Sequence, residues 1–259
     1  MMIAIYINEQ KYEVERDSRL LDVCTQYGIA IPTLCAHEAL PGFAGCRLCV
    51  VELRKGDWSK LVTACEYPVR RTESFYTHSE MVLKSRRKTA QLLIARAPEA
   101  KETVETILGE PVKSTFDPLD NVFNSKCVLC GLCYRVCHAQ GTAAIYAVGR
   151  GAEKVVETPY KEANADCIGC GSCAAVCPTG AIRLVEPGGK RAIWRHLFEL
   201  LPCPECGARH TTQRMLEYTK KKTGLPEHEL LLCPICRKKQ MHHGLLTGVS
   251  HESLAVECH

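Results

Sequence analysis

Apolar and polar residues alternate at the start of the chain as they do in a β-hairpin. Ile3, Ile5 and Ile7 are separated by single residues, a polar turn follows over residues 8–10, and the alternation resumes over residues 11–14. A period of two residues places the apolar side chains on one face of a strand. The pattern therefore predicts two antiparallel strands joined by a short turn.

After this hairpin the apolar residues change to helical spacing. A helix is predicted from about residue 20 to residue 27, with Asp17 or Ser18 as its N-cap and Gly28 at its end. A second helix is predicted over residues 79–97. Both are amphipathic in pattern, so each is expected to bury one face against the rest of the fold.

Pro98 ends the second predicted helix, because proline cannot continue the backbone hydrogen bonding. A third, short helix is predicted over residues 101–108. The second helix carries a basic run at residues 84–88. We interpret this run as a solvated helix face, and a docking face for a partner subunit is the alternative.

The apolar pattern in the second half of the chain predicts shorter strands and one further helix. Apolar runs indicate strands at residues 144–148, 154–157 and 181–185. Thr211 is placed to cap a helix that runs through Tyr218 and closes near residue 224.

Composition indicates a metal-binding protein. The 259 residues include 18 cysteines, and the formal net charge is only +4. The N-terminus has no secretory signal pattern, and no apolar run approaches the roughly 18 residues of a membrane span. We therefore expect a cytoplasmic protein without a direct membrane span, in which paired cysteines bind metal rather than form disulfides.

The strongest motif is a repeated C-x2-C-x2-C-x3-C run between residues 127 and 177. This run is typical of bacterial ferredoxins with two [4Fe–4S] clusters, in which the fourth cysteine of each copy ligates the other cluster. The first predicted cluster takes Cys127, Cys130, Cys133 and Cys177. The second takes Cys137, Cys167, Cys170 and Cys173. Zinc sites or disulfides are the alternative, which the doubled register disfavours.

A third set of cysteines lies in the first 75 residues with the spacing C-x10-C-x2-C-x15-C. Its members are Cys35, Cys46, Cys49 and Cys65. Plant-type ferredoxins hold a [2Fe–2S] cluster with a C-x4-C-x2-C run and a distant fourth cysteine, so the first interval here is longer. A four-cysteine zinc site is the alternative. Cys24 is interpreted as a buried helix residue, because free cysteine packs as a small hydrophobe.

A fourth set is formed by two C-x2-C pairs near the C-terminus, Cys203, Cys206, Cys233 and Cys236. Paired C-x2-C turns suit structural zinc, and a third [4Fe–4S] cluster is the less favoured alternative.

Nucleic-acid binding by the basic residues at 220–222 and 237–239 is disfavoured, since no aromatic residues accompany them as a stacking platform. The tail is interpreted as solvent-exposed, including His242, His243, His251, Cys258 and His259.

Residues 1–75 resemble the β-grasp [2Fe–2S] domain of the large iron–sulfur subunit of NADH:quinone oxidoreductase. They are also similar to the diaphorase-side small iron–sulfur subunit of NAD-reducing hydrogenases. The resemblance depends on the four N-terminal cysteines and the Gly-Cys-Arg-x-Cys-x-Val-Glu context around Cys46 and Cys49.

The chain departs from the family pattern after the second predicted helix, where in that family a His and three Cys hold a further cluster. Here Ala97 stands near the His position, and no Cys occurs between Cys65 and Cys127.

The resemblance and the motifs together predict an α+β chain of four parts. These are a β-grasp [2Fe–2S] domain at 1–75, a helical linker at 76–125, a two-[4Fe–4S] ferredoxin-like domain at 126–186, and a four-cysteine zinc-ribbon-like domain with its tail at 187–259. The expected cofactors are one [2Fe–2S] cluster, two [4Fe–4S] clusters and one Zn²⁺.

The leading hypothesis is an electron-transfer subunit of a cytoplasmic NAD(P)-linked oxidoreductase. The resemblance implies three partners: a flavin- and NAD(H)-binding subunit, a thioredoxin-like [2Fe–2S] subunit, and a hydrogenase or formate dehydrogenase catalytic subunit. The sequence has no nucleotide-binding fingerprint, so no substrate-binding catalytic site is expected on this chain. A free-standing polyferredoxin shuttle and a redox-sensing zinc-ribbon regulator are the alternatives.

Overall fold

A computed structural model describes residues 1–119 and 124–240. The predicted exposed tail with its histidines lies outside the described residues. The strands are β1 (Met2–Ile7), β2 (Gln10–Glu15), β3 (Val50–Lys55), β4 (Trp58–Thr63), β5 (Ser74–Tyr76), β6 (Tyr146–Val148), β7 (Val155–Glu157), β8 (Lys190–Ile193), β9 (His196–Pro202) and β10 (Arg209–Thr212). The helices are α1 (Leu20–Gln26), α2 (Glu80–Arg96), α3 (Lys101–Leu108), α4 (Leu132–Gln140), α5 (Ser172–Ala175), α6 (Gln213–Thr223) and α7 (Glu227–Leu230).

The chain forms two compact units. The first contains residues 1–159 and 172–182, and the second contains residues 160–171 together with the chain from residue 183 onward. The four domain ranges expected from the sequence remain predictions. Within the described residues, no helix is both long and apolar enough to cross a membrane.

The first unit contains a mixed five-stranded sheet in the order β2-β1-β5-β3-β4. β1 pairs antiparallel with β2 and parallel with β5. Asn8 and Glu9 join the hairpin with φ of 50° and 70°, the left-handed conformation that a tight hairpin turn requires. The hairpin predicted from the alternating pattern is thereby confirmed.

Helix α1 packs on this sheet and closes one hydrophobic core. Leu20, Val23 and Cys24 lie in a buried cluster with Ile5 and Phe75, among other residues. Cys24 is only 1% exposed, which agrees with its interpretation as a buried helix residue.

The predicted N-cap of α1 was wrong. The N-cap is Arg19, which makes no side-chain cap hydrogen bond. Asp17 instead accepts a hydrogen bond from the exposed Arg70 at 2.8 Å. Arg19 donates to Asp22 in the first turn, so an ion pair stands where a side-chain cap was expected.

The second predicted helix is confirmed as α2. Ser79 caps it by accepting a hydrogen bond from the Val82 backbone N–H, and the helix ends before Pro98. The third predicted helix is confirmed as α3. Ala97 is fully buried in an apolar cluster that also contains Ala100 and Val104. Apolar packing therefore fills the segment in which the resembling family would have its additional ligands.

The basic run on α2 is not uniformly solvated, contrary to the interpretation of the sequence. Arg87 is exposed and pairs with Glu110, and the Lys88 ammonium lies 4.3 Å from the ring centroid of Phe116. Arg86, however, is only 3% exposed. Adjacent residues on a helix point about 100° apart, so one member of a basic run can face the core while its neighbours face water.

Strands β6 and β7 confirm the first two strands predicted in the second half of the chain. The third predicted strand, residues 181–185, is wrong. Only a single bridge between Val185 and Ala192 is formed there. The segment does not become a regular strand, and β8 instead pairs with β9 over four residues.

The second unit contains an antiparallel sheet in the order β10-β9-β8, which the sequence reasoning missed. Helix α6 follows directly from β10. Its N-cap is Thr212 rather than the predicted Thr211, and the Thr212 hydroxyl accepts from the Met215 backbone N–H at 3.0 Å. The predicted end is confirmed, since Gly224 forms the C-cap with φ of 70°.

Candidate iron–sulfur and metal sites

The four N-terminal cysteines predicted to hold a [2Fe–2S] cluster lie together and are buried. Cys35, Cys46, Cys49 and Cys65 are each at most 4% exposed. The Cys46 backbone N–H donates to Cys35 Sγ at 3.4 Å. The Cys35 thiol also hydrogen-bonds Cys46 and Cys65, and Cys49 hydrogen-bonds Cys65. The structure thus brings these sulfurs into one site.

Hydrogen-bond donors surround two of these sulfurs. The pKa of Cys46 is lowered to about 6, chiefly by the Cys35 thiol and further by the Leu48 and Leu34 backbone N–H groups. The pKa of Cys65 is lowered to about 2, first by hydrogen bonds from the other two thiols and then by the Phe43 and Ala44 backbone N–H groups. The pKa values of Cys35 and Cys49 are raised in turn, first by their hydrogen bonds to the other sulfurs and then by burial. Bound iron would favour the thiolate form of all four cysteines and offset their burial.

Two glycines let the ligand loop lie close to its surroundings. A Cβ on Gly42 would lie only 2.1 Å from the Cys65 carbonyl oxygen. A Cβ on Gly45 would lie 2.5 Å from the Phe43 ring. The loop between Cys35 and Cys46 therefore requires glycine at position 42, where the obstacle is backbone, whereas at position 45 the Phe43 ring would have to move.

The two copies of the C-x2-C-x2-C-x3-C run have the same local backbone. In the first copy Leu129 and Gly131 have φ of 53° and 79°, and in the second copy Gly169 and Gly171 have φ of 67° and 78°. These positions correspond in the repeat. A left-handed residue on either side of the second cysteine turns the loop back on itself, which three closely spaced ligands on one cluster require.

The fourth cysteine of each copy accepts a hydrogen bond from a following backbone N–H group. Ala144 donates to Cys137 Sγ at 3.2 Å, and Ala181 donates to Cys177 Sγ at 3.3 Å. The hydroxyl of Thr142 also lies 3.2 Å from Cys137 Sγ. Hydrogen bonds to ligand sulfur are one of the determinants of cluster potential.

The ligands predicted for the first [4Fe–4S] cluster all lie in the first unit. The pKa of Cys130 is raised to about 11, chiefly by burial and in part by the nearby charges of Cys177 and Cys127. Burial also raises the pKa of Cys133, with further contributions from Cys130, Cys127 and Cys177. These four cysteines are therefore close enough to influence one another electrostatically, and their assignment to one cluster remains a prediction. Bound iron would favour the thiolates and offset their burial.

The ligands predicted for the second [4Fe–4S] cluster are distributed over the two units. Cys137 and Cys173 belong to the first unit, and Cys167 and Cys170 belong to the second. This ligand set remains a prediction.

Within the second unit, the loop that carries Cys167 and Cys170 is bound by side chains of the small sheet and of α6. Arg191 donates to the Gly169 carbonyl oxygen at 2.7 Å. The Thr212 hydroxyl donates to the Ile168 carbonyl oxygen at 2.5 Å, and Arg214 donates to the Cys167 carbonyl oxygen at 3.3 Å. The cap residue of α6 therefore also holds this loop.

The C-terminal cysteines form a compact group of four. The sulfurs of Cys203, Cys206, Cys233 and Cys236 all lie within 4.8 Å of one another. Backbone N–H groups of Cys233 and Cys236 donate to the sulfurs of Cys203 and Cys233, each at 3.4 Å. The first of these bonds is the main reason that the pKa of Cys203 is lowered to about 6. Four convergent sulfurs of this kind fit tetrahedral zinc.

Sequence reasoning missed Arg135, which joins helix α4 to the [2Fe–2S] loop. Its guanidinium donates to the Cys35 carbonyl oxygen at 2.9 Å and to the Pro41 carbonyl oxygen. It also lies 4.7 Å from the centroid of the Phe43 ring. The sequence signal that could have identified Arg135 is its position between two predicted ligands, Cys133 and Cys137, on one short helix.

The first two cysteine sites are neighbours inside the first unit. Cys35 and Cys46 belong to the same buried apolar cluster as Cys130. The charge of Cys46 contributes to the raised pKa of Cys130. The Phe43 ring packs edge-on against Tyr134, with ring centroids 6.3 Å apart. The [2Fe–2S] site therefore lies directly beside the first [4Fe–4S] site.

Two family models match this chain. Residues 1–79 match the 2Fe-2S iron-sulfur cluster binding domain, and residues 121–184 match the 4Fe-4S dicluster domain. The G 2 subunit of the NADH-quinone oxidoreductase of Rhizobium meliloti is 29% identical over 231 residues, which cover 80% of this chain. The chain is therefore similar over most of its length to part of a G subunit of an NADH-quinone oxidoreductase. The 75 kDa subunit of the NADH-ubiquinone oxidoreductase of Reclinomonas americana is 25% identical over 204 residues, covering 70% of this chain and 29% of that protein.

The alpha subunit of the NADPH-Fe(3+) oxidoreductase of Geobacter sulfurreducens is 30% identical over 230 residues, which cover 79% of this chain. The chain spans 27% of the length of this relative and 27% of the Rhizobium meliloti protein. A chain in the crystal structure of an NAD+-reducing [NiFe]-hydrogenase, in the H2-reduced state, matches with a TM-score of 0.58 and 25% identity. That match covers 69% of this chain and 86% of the other. The resemblance to both groups is thereby confirmed.

Proposed function

We propose that this chain is an electron-transfer iron–sulfur subunit of a multi-subunit NAD(P)-linked oxidoreductase of the hydrogenase or formate dehydrogenase type. The observation that carries the proposal is the adjacency of two cysteine sites, in which Cys35 and Cys46 share one buried cluster with Cys130. Electron transfer requires redox centres that are close together and screened from water. Two independent metal-storage sites would not require such adjacency.

The proposed ligands are those expected from the spacing. The [2Fe–2S] cluster is held by Cys35, Cys46, Cys49 and Cys65. The first [4Fe–4S] cluster is held by Cys127, Cys130, Cys133 and Cys177, and the second by Cys137, Cys167, Cys170 and Cys173. Zinc is held by Cys203, Cys206, Cys233 and Cys236 in a ribbon-like domain. The clusters supply one-electron redox chemistry, whereas the redox-inert zinc supplies structure only.

The role of the protein residues in this chemistry is to position and to insulate. Backbone N–H groups of the ligand loops point at ligand sulfurs, and the burial of all four cysteines of the proposed [2Fe–2S] site excludes water from it. Arg135 fixes the loop of one site to the helix that carries ligands of the next. These contacts hold the two sites at a constant separation, on which the rate of electron transfer depends.

The proposed partners are those that the resemblance implies, and the names of the relatives support the nicotinamide-linked part of the proposal. The NADH-quinone oxidoreductase and the NAD+-reducing [NiFe]-hydrogenase imply a nicotinamide-oxidising or nicotinamide-reducing assembly. For this chain we propose a flavin- and NAD(H)-binding subunit, a thioredoxin-like [2Fe–2S] subunit and a catalytic hydrogenase or formate dehydrogenase subunit in the cytoplasm.

Anaerobic metal analysis combined with EPR spectroscopy tests the cofactor assignment. We expect about ten irons and about one zinc per chain, with both [2Fe–2S] and [4Fe–4S] signals after reduction. About fourteen irons without zinc would contradict the zinc assignment. About six irons or fewer in a fully loaded sample would contradict the cluster scheme.

Affinity purification from the native source tests the assignment to a larger complex. Co-purification with a flavoprotein that oxidises or reduces a nicotinamide would support the proposal. A monomer that reduces several unrelated acceptors would favour the free-standing shuttle instead.

A further inference from the structure

Helix α2 carries two buried arginines that have no acidic partner in the part of the chain that the structure describes. Arg86 is 3% exposed and Arg96 is 8% exposed. Within residues 1–119 and 124–240, neither forms an ion pair with a carboxylate. Arg86 Nε has no hydrogen-bond partner there, and neither do Nε and Nη1 of Arg96. The neighbouring Arg87, in contrast, is exposed and makes two hydrogen bonds to Glu110.

Such residues are costly for a fold. Moving a cation out of water without a compensating charge is strongly unfavourable, and buried arginine is normally paired. Two guanidinium groups on one helix that have no carboxylate partner within residues 1–119 and 124–240 therefore indicate a negative charge that the described side chains do not supply. The surroundings of each arginine identify where that charge lies.

Arg86 lies next to the [2Fe–2S] site. Its Nη2 donates to the Val50 carbonyl oxygen at 2.8 Å, and Val50 directly follows the predicted ligand Cys49. Burial lowers the pKa of Arg86 to about 10, while the charge of Cys49, and then that of Cys24, acts to raise it. The group therefore stays positively charged at neutral pH and interacts with a ligand sulfur.

Arg96 lies next to the first [4Fe–4S] site, at the other end of the same helix. Its Nη2 donates to the Lys154 carbonyl oxygen at 3.0 Å. The next residue, Ala97, lies in the same buried cluster as Cys130, and the Glu99 backbone N–H donates to the Ser125 carbonyl oxygen at 3.2 Å, two residues before Cys127. Burial raises the pKa of Cys127, and the positive charge of Arg96 acts to lower it. The two arginines thus face different cysteine sites from one rigid element.

We propose that Arg86 and Arg96 are buried counter-charges that raise the reduction potentials of the [2Fe–2S] cluster and of the first [4Fe–4S] cluster, respectively. This inference rests on the proposed function, because it assumes that the clusters are bound. A cluster held by four thiolates is anionic, and reduction adds one more negative charge. A fixed cation in a low-dielectric interior stabilises the reduced form more than the oxidised form, and net local charge is one of the determinants of cluster potential.

A competing explanation exists for Arg86 alone. It also lines a cavity of about 600 Å³ whose other lining residues include His78 and Leu83. A small anion bound there would pair with the guanidinium without any involvement of the cluster. Addition of inorganic phosphate separates the two explanations.

The test is an EPR-monitored redox titration of the full chain with its clusters bound. We expect Arg86→Met to lower the equilibrium constant for reduction of the [2Fe–2S] cluster at least tenfold, which is about 59 mV for one electron, and to leave the [4Fe–4S] potentials in place. Arg96→Met should lower the potential of one [4Fe–4S] signal by a similar amount and leave the [2Fe–2S] potential in place. Arg87→Gln is the matched control and should shift none of them.

Conservative variants separate charge from shape. Arg86→Lys and Arg96→Lys keep the positive charge and should retain most of each potential. A Met variant that fails to load its cluster while the Lys variant loads it also supports the proposal. If both variants fail to load, or if both load with unchanged potentials, the counter-charge role is wrong.

Two further outcomes are decisive. If phosphate stabilises the wild-type chain against heat but not Arg86→Met, and the [2Fe–2S] potential is the same in both, Arg86 is an anion-binding residue and the proposal for it is overturned. A wild-type chain that binds no clusters would refute the proposed function itself. Full cluster loading with unshifted potentials would refute only the counter-charge role.

Discussion

Gly42 shows how a single residue can decide whether a ligand loop closes. Its Cα lies against the backbone of Cys65, and an added Cβ would be 2.1 Å from the Cys65 carbonyl oxygen. Backbone atoms cannot rotate away as the end of a flexible side chain can. The space that glycine leaves open is therefore a requirement of the [2Fe–2S] site rather than of the turn conformation.

We predict that Gly42→Ala prevents binding of the [2Fe–2S] cluster while the [4Fe–4S] signals remain. Overpacking a tight site costs about 1–3 kcal/mol, and here the displaced atoms are those that position a ligand. EPR spectroscopy of the reduced protein measures the loss.

Gly28→Ala is the control for this substitution: Gly28 has φ of 70° but nothing within 4 Å of an added Cβ. It should cost about 1–2 kcal/mol of stability through backbone strain and keep the cluster. Retention of a normal [2Fe–2S] signal in Gly42→Ala would contradict the prediction.

At the scale of elements, helix α4 connects the two adjacent cysteine sites. It begins after the left-handed Gly131 and carries Cys133 and Cys137. Arg135, between these two cysteines, reaches the carbonyl oxygens of Cys35 and Pro41 in the other site. One short helix therefore positions ligands for the [4Fe–4S] sites and also anchors the [2Fe–2S] loop.

We predict that Arg135→Ala loosens this connection. Hydrogen bonds from a charged group contribute about 1.5–3 kcal/mol each, and the cation–π contact with Phe43 adds to them. The thermal unfolding midpoint should fall, and the magnetic interaction between the reduced [2Fe–2S] and [4Fe–4S] clusters should weaken in EPR spectra.

Arg70→Ala serves as the control for this change. Arg70 forms an exposed ion pair with Asp17, and such pairs contribute about 0–1 kcal/mol. The control should leave both readouts nearly unchanged. If Arg135→Ala behaves in the same way, Arg135 does not hold the two sites together.

At the scale of the whole molecule, residues 160–171 belong to the second unit although they lie between two parts of the first in sequence. Arg191, Thr212 and Arg214 bind the carbonyl oxygens of this loop within the second unit. The proposed zinc site lies in the same unit. The C-terminal part of the chain can therefore stabilise a loop that carries two proposed cluster ligands, Cys167 and Cys170.

We predict that loss of zinc makes the second [4Fe–4S] cluster labile. Cys203→Ser should remove about one zinc, and about four irons should then be lost to a chelator before the remaining six. Zinc and iron analysis over time measures both losses, while the [2Fe–2S] EPR signal should persist. Cys24→Ala, which changes a buried cysteine outside the four sets, is the control. Simultaneous loss of all iron, or no loss, would contradict the prediction.

Local features of the molecule followed from the sequence. The cysteine spacings predicted both kinds of iron–sulfur domain, because ligand spacing on a cluster is a short-range constraint. The bounds of α2 and α3 followed from apolar spacing and from Ser79 and Pro98. The small strands β8, β9 and β10 were missed, since their weak alternation is stabilised by packing within the second unit rather than by their own pattern.

The chemistry of each site is specified by the sequence alone: which cysteines are available, at what spacing, and in which loops. Which sites are neighbours, and which charges lie beside them, depends on how the chain folds. Cys46 and Cys130 are 84 positions apart, and no local pattern encodes their membership of one buried cluster. Arg86 and Arg87 are adjacent in sequence, yet packing against β3 buries one and leaves the other in water. The physical reason is that ligand spacing is fixed by covalent geometry, whereas burial and electrostatic environment are properties of the whole packed fold.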